Sequence, residues 1–331
     1  MLIDEFLEPT VLIVSGKGGV GKTTVTAALA LVAARRSRKV CIAEVDRKGS
    51  LSKLLGGGLL GYDPSELLPG VWGLNIAPEQ ALEEYLEVQY HMRRISRVLT
   101  HSHFIEYITT AAPGLKDILV LGKVWYLEQG RPAGGMRHNF DTIVVDAPAA
   151  GHMRTFLAAP TGLSDAVRVG PVRRQSDWIL DMLRDPRRAR VHLVTLAEEM
   201  PVAETLETSE ALSGALRMHQ GITFANAVYS EQLGRAEDKA LQEMMSAEET
   251  ETLVSAAGRA GLDLDDQDLD ELLGYARFLR ARRAVQTKHL KTLRKGLDQA
   301  VVELPFLFSA GLALPDVEAL ADEIEERVEK L

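Results

Sequence analysis

The chain has 331 residues, 46% of them hydrophobic and 26% charged, which suits a globular protein with ample core. Its formal charge of -9 argues against indiscriminate nucleic-acid binding, and the sequence holds no uninterrupted apolar run of the ~20 residues that a membrane span needs. The single cysteine, Cys41, excludes an intrachain disulfide and the paired cysteines of a subunit-bridging iron–sulfur cluster.

Met1 to Thr10 is acidic and short, unlike a secretory leader, so the cytoplasm is the expected compartment. Val11 to Ser15 reads as a buried strand, and Gly16-Lys17-Gly18-Gly19-Val20-Gly21-Lys22-Thr23 follows, before an apolar run at helical spacing. This is the phosphate-loop pattern in its strand-then-helix context. Glycines let the backbone curl so that successive N–H groups face a phosphate, and the helix N-terminus adds partial positive charge. Lys22 is expected to reach the β- and γ-phosphates and Thr23 to ligate Mg²⁺. The pattern implies a nucleoside triphosphate. Lys17, a second lysine in the loop, is either a solvated surface side chain or one presented to phosphates across a dimer interface.

Arg35 to Lys39 forms a basic helix end, and Val40 to Val45 a second strand that runs into Asp46. A carboxylate at the C-terminal edge of a parallel sheet faces the ligand crevice, where it could hold Mg²⁺ or orient water; a helix N-cap is the plainer alternative. Cys41 reads as a small core residue. The Gly/Pro-rich stretch from Gly56 to Pro78 is a connection, with a strand expected at Trp72 to Ala77. Apolar positions at helical spacing predict a helix from Leu82 to about Tyr107, and another over Leu115 to about Leu127. His91, His101 and His103 lie without a partnering cysteine, which argues against metal ligation. Asp141 to Asp146 is a further strand ending in a carboxylate, followed by a small-residue turn over Ala147 to His152. Such a strand resembles a Walker B element, whose aspartate acts on Mg²⁺.

These segments together resemble the ArsA family, which comprises arsenite-pump ATPases and ATPases that target tail-anchored membrane proteins. The resemblance rests on GKGGVGKTT at 16–24, EVD at 44–46, PGLKD at 113–117 and FDTIVVDAPAAGHMRTFL at 140–157, and extends through VTLAEEMPVAETLET at 194–208, FAN at 224–226 and ELPFLFSAGL at 303–312. It implies a Mg²⁺-ATP-dependent dimeric ATPase of the deviant Walker A class. By that resemblance Gly16 to Thr24 hold the nucleotide, with Lys17 crossing to the partner's site. Asp46 is the catalytic aspartate opening switch I. Asp146, Gly151 and His152 belong to switch II, and Thr23, Asp46 and Asp146 serve Mg²⁺, the aspartates through water. Asn226 reads adenine, and Pro305 sits in the loop covering the base. The chain departs from the family at switch I, where DRKGS stands in place of DPAHN, and it lacks the paired cysteines for zinc and those for arsenite.

Residues 231–300 read as helical and charge-segregated. A basic stretch from Arg277 to Lys295 is either a solvated surface face or an element for a client or a membrane surface. Asp316 is the expected N-cap of a closing amphipathic helix. The fold expected is doubly wound α/β with a mostly parallel sheet, one P-loop NTPase domain over residues 1–331. A helical subdomain is expected from inserts at about 79–130 and 231–300. The expected partners are a second copy or a related ATPase, and a hydrophobic-helix client or a membrane-associated protein. Nucleic acid, zinc and metalloid are not expected. The alternatives are a slow or non-hydrolysing nucleotide-gated subunit of a heterodimer and, third, a partition-type ATPase.

Overall fold

In the computed structural model, which describes residues 3–45, 49–90, 114–130, 139–167, 169–230, 239 and 250–331, the chain begins with α1 (Ile3–Phe6), β1 (Val11–Gly16), α2 (Lys22–Arg35), β2 (Val40–Glu44) and α3 (Ser50–Leu54). Next come β3 (Ser65–Leu68), β4 (Val71–Asn75), α4 (Pro78–Tyr90), α5 (Leu115–Glu128), β5 (Thr142–Ala149), α6 (Ala150–Ala166), α7 (Pro171–Arg184) and β6 (Ala189–Leu196). The last elements are α8 (Glu199–Ala211) with a π-helical extension (Leu212–Leu216), β7 (Gln220–Val228), α9 (Thr250–Arg259), α10 (Asp266–Gly296), β8 (Val301–Pro305) and α11 (Leu314–Glu329).

The strands form one eight-stranded sheet in the order β3-β4-β2-β5-β1-β6-β7-β8, parallel except for the antiparallel β3–β4 pair. Side-chain parity explains its continuous apolar strands. Leu12, Val14, Ile42 and Val144 pack with α2 and α11 on one face, while Ile13, Cys41, Ala43, Ile143 and Val145 pack with α5, α6 and α7 on the other. Helix α2 is buried from Thr24 through Ala33. Its alanine-rich surface lets it lie between the sheet and α11. Chain direction reverses about β1: β1 connects through α2 to β2 on one side, and β5 connects through α6 and α7 to β6 on the other. Such a switch point opens a crevice at the C-terminal strand ends.

Several expectations need correction. The stretch over Gly56 to Pro78 contains β3, and β4 ends at Asn75, before Ala77. Helix α4 starts at Pro78, earlier than Leu82, because proline fits a first turn. Ala147 to His152 is not a turn: β5 runs through Ala149 and α6 begins at Ala150. Asp316 is not the N-cap. It lies inside α11, where its carboxylate accepts from the backbone N–H of Ala313 at 2.8 Å. The basic stretch divides. Leu290, Leu293 and Leu297 are buried against β7 and α8, and Arg283 and Arg294 both pair with Glu303. Leu272, Tyr275 and Phe278, in the first half of α10, are exposed.

Candidate functional site

Parallel register brings the C-terminal strand ends into one row. Glu44 of β2 stands opposite Asp146 of β5, Gly16 pairs with both Ala149 and Val194, and Leu196 stands opposite Asn226. Against this row sits a cavity of about 310 Å³ walled by the glycine loop, Thr23, Glu44, Ser50 and Asp146, within the ~300–1,000 Å³ usual for small-ligand sites. A larger cavity of about 530 Å³, lined by Tyr62, Asn75 and Glu79 among others, lies off the loop and contains none of its residues.

The loop's shape follows from its glycines. A Cβ on Gly16 would lie 1.9 Å from the Val194 carbonyl oxygen, so no other residue fits this close crossing of β6. Gly21 has φ +89° and precedes α2 directly, and a Cβ there would lie 2.3 Å from Asn226 Nδ2. Val20 is buried and its carbonyl accepts from Asn226 Nδ2 at 2.9 Å. The Lys22 ammonium donates to the carbonyl of Lys17 at 3.0 Å, drawn back over the loop. Thr23 Oγ1 donates to Asp146 Oδ2 at 2.8 Å, a contact across 123 residues of sequence. Thr24 is buried behind the loop, and Ser15 Oγ ties β1 to the Pro148 carbonyl at 2.9 Å.

A residue that motif reasoning passed over completes the wall. Glu44 is 2% exposed. Its Oε1 accepts from the Ser50 N–H at 3.2 Å and its Oε2 from Asn75 Nδ2 at 3.2 Å. The signal was available as a carboxylate closing the otherwise apolar run VCIAE. Glu204 of α8 was also missed: the Lys17 ammonium rests 3.1 Å from its Oε2, within the same chain.

The remaining expected residues scatter. Asn226 lies beneath the loop, and Pro305 ends β8, after which Phe306 N–H donates to the Val228 carbonyl. Beyond it Tyr229 and Phe306 stack at 4.9 Å, with Phe308 edge-on to Phe306. Gly151 and His152 open α6 and are exposed. His152 faces the other family segment electrostatically: burial holds the Asp117 carboxyl above the usual range, and the charges of His152 and Lys116 oppose that. Asp46 lies outside the described residues, as do His91, Met92, His101, His103, Met244 and Met245.

The family model described as anion-transporting ATPase matches residues 9–326. A protein named ATPase BagA from Mycobacterium tuberculosis is 37% identical over 211 residues, 61% of this chain and 60% of that protein. The chain therefore spans about 60% of the length of this relative. ATPase GET3 of Podospora anserina is 22% identical over 320 residues, covering 92% of this chain and 90% of its own length. ATPase ARSA1 of Chlamydomonas reinhardtii is 30% identical over 176 residues, 45% of this chain and 22% of that protein.

Proposed function

The chain belongs to the ArsA-type anion-transporting ATPase family, and from that premise we propose that it binds ATP with Mg²⁺ and hydrolyses it as a dimer, closing on a partner or hydrophobic client. The observation that carries this reading is the 2.8 Å hydrogen bond between Thr23 Oγ1 and Asp146 Oδ2 at the glycine loop. A hydroxyl and a carboxylate side by side are the hard oxygen donors that suit Mg²⁺, Thr23 as direct ligand and Asp146 through water, with Asp46 joining them. Held there, Mg²⁺ would supply neutralisation of charge on the phosphate oxygens.

The chain's own groups supply the rest. Backbone N–H groups from Gly18 to Thr23 cradle the phosphates, and Lys22 exchanges the Lys17 carbonyl for a phosphate oxygen. Asp46 orients the attacking water. Lys17 leaves Glu204 for the partner's phosphates. Asn226 spends one N–H on Val20, keeping a donor and an acceptor for an amino-purine edge, with the loop after Pro305 beside the base. The exposed first half of α10, together with α4, forms the client face, drawn from the two inserts of a single P-loop domain. With one cysteine, buried in β2, neither a subunit-bridging zinc nor arsenite enters this reading.

A second reading has one specific observation in its favour. Switch I reads DRKGS, keeping only the aspartate of the family pattern. It describes a nucleotide-gated subunit that hydrolyses slowly or not at all beside a related chain. Single-turnover hydrolysis on purified protein separates the two: release of phosphate with sedimentation as a dimer supports the first, whereas tight ATP binding without turnover supports the second. Hydrogen exchange decides the client face. Protection of residues 82–90 or of α10 by MgATP but not ADP is expected, and identical exchange in all nucleotide states would reject coupling to these helices.

A further inference from the structure

Glu44 is a buried carboxylate on a strand held between two parallel neighbours, β4 and β5. Burial of a charge is tolerated only where donors compensate it, and here both oxygens have one: the Ser50 N–H at one side and the Asn75 amide at the other. The two donors sit on different pieces of chain. Asn75 ends β4 and is itself fixed, its N–H donating to the Gly61 carbonyl at 2.7 Å. Ser50 begins α3, directly after Gly49 in the left-handed region at φ +60°. Extended chain from residue 44 to residue 50 could reach roughly 20 Å, yet one side chain bridges the two positions. Glu44 and Ser50 lie on either side of Asp46 in sequence, and both line the cavity that Thr23 and Asp146 line.

We propose that Glu44 is a positioning residue for ATP hydrolysis: its carboxylate fixes the two flanks of Asp46 relative to each other at the wall of the phosphate cavity. This rests on the hydrolytic reading given above and assigns a role that the P-loop, switch II and the catalytic aspartate do not fill. Glu44 contacts no reacting atom in this scheme. It acts through Ser50 and Asn75, so its loss should lower turnover while leaving nucleotide affinity near its original value.

The test compares Glu44→Ala with Glu44→Gln in the full chain. Glutamine keeps a carbonyl for Ser50, and Asn75 can turn its own carbonyl toward the new amide, so both contacts survive. Without nucleotide, the Ser50 amide should exchange at least tenfold faster in Glu44→Ala and within threefold of wild type in Glu44→Gln. With MgATP, Glu44→Ala should keep its Kd within threefold and lose at least tenfold in single-turnover rate, and Glu44→Gln should restore that rate to within threefold. Unchanged Ser50 exchange in the alanine variant would overturn the proposal. So would equal damage by alanine and glutamine, or a loss of affinity as large as the loss of rate. If Glu44→Ala does not fold, Asn75→Ala replaces it, with the same split expected at about threefold in rate and unchanged Kd. A wild-type protein that binds ATP without hydrolysing it rejects the hydrolytic reading, and the exchange arm then still decides whether Glu44 anchors Ser50.

Discussion

On the proposed dimeric reading Lys17 must leave Glu204 to serve a partner's phosphates, so Glu204→Gln should make ATP-driven closure easier. The pair is partly solvated, with side chains 33% and 35% exposed and a 3.1 Å separation. Exposed pairs of this kind contribute about 0.2–1 kcal/mol. Glu204 Oε2 has no hydrogen-bond donor among the described residues beyond this ammonium, which favours the upper part of that range. Each closed dimer breaks two such pairs, so removing the acceptor charge should favour closure by about 0.4–2 kcal/mol, or roughly 2- to 30-fold in the closure constant. Sedimentation across an ATP titration reads this directly, carried out in an Asp46→Asn background so that nucleotide is not consumed. The shift should shrink in high salt, where exposed charges are screened within about 3 Å at 1 M. Lys17→Ala should itself close poorly, and an unchanged or weakened closure midpoint in Glu204→Gln beside that defect would show that the pair does not hold Lys17 back.

The other predictions concern the site and the core beneath it. Lys22→Ala should lose ATP binding, whereas Asp46→Asn should bind ATP and hydrolyse it about a hundredfold slower, the scale of losing a water-positioning group; equal single-turnover rates in wild type and Asp46→Asn would reject that assignment. Burial holds His192 down at about 4, with the Arg190 charge acting the same way and the Ile222 backbone hydrogen bond opposing it. The unfolded imidazole, near its ordinary value, therefore takes up a proton first as pH falls, so stability is flat above about pH 7 and falls by about 2 kcal/mol between pH 8 and pH 5. Urea unfolding of wild type against His192→Asn, which keeps an acceptor for the Ile222 N–H, should isolate this slope, and parallel profiles would refute it. Lys123 is fully buried, paired with Glu84 at 3.0 Å and set over the Tyr62 ring at 4.2 Å. Lys123→Met should cost about 1–3 kcal/mol, because the Glu84 carboxylate loses the ammonium and keeps the Tyr62 hydroxyl as a donor; chemical denaturation would read this, and Lys123→Met combined with Glu84→Gln should recover part of it.

Much of the site was legible in sequence because the phosphate loop is local. Gly16 through Thr23 are contiguous, and their conformations follow from glycine's backbone freedom. The apolar strands were legible for the same reason, as was the placing of Asp146 at the crevice. What tertiary structure decided depends on register between distant strands. Thr23 donates to Asp146 across 123 residues, and Asn226 reaches the Val20 carbonyl across 206. No local preference encodes such pairings. Strands buried on both faces have no alternation from which to read a side, so Glu44 stood out as polar but its two partners could not be named. Lys17 carried two readings in sequence, and the fold set it beside Glu204 because β1 and α8 meet only after β6 has paired with β1. The basic stretch of α10 likewise looked uniform. Its division into a half packed on β7 and a half left exposed follows from where β8 ends and Glu303 gathers two arginines, a consequence of packing with no counterpart in helical spacing.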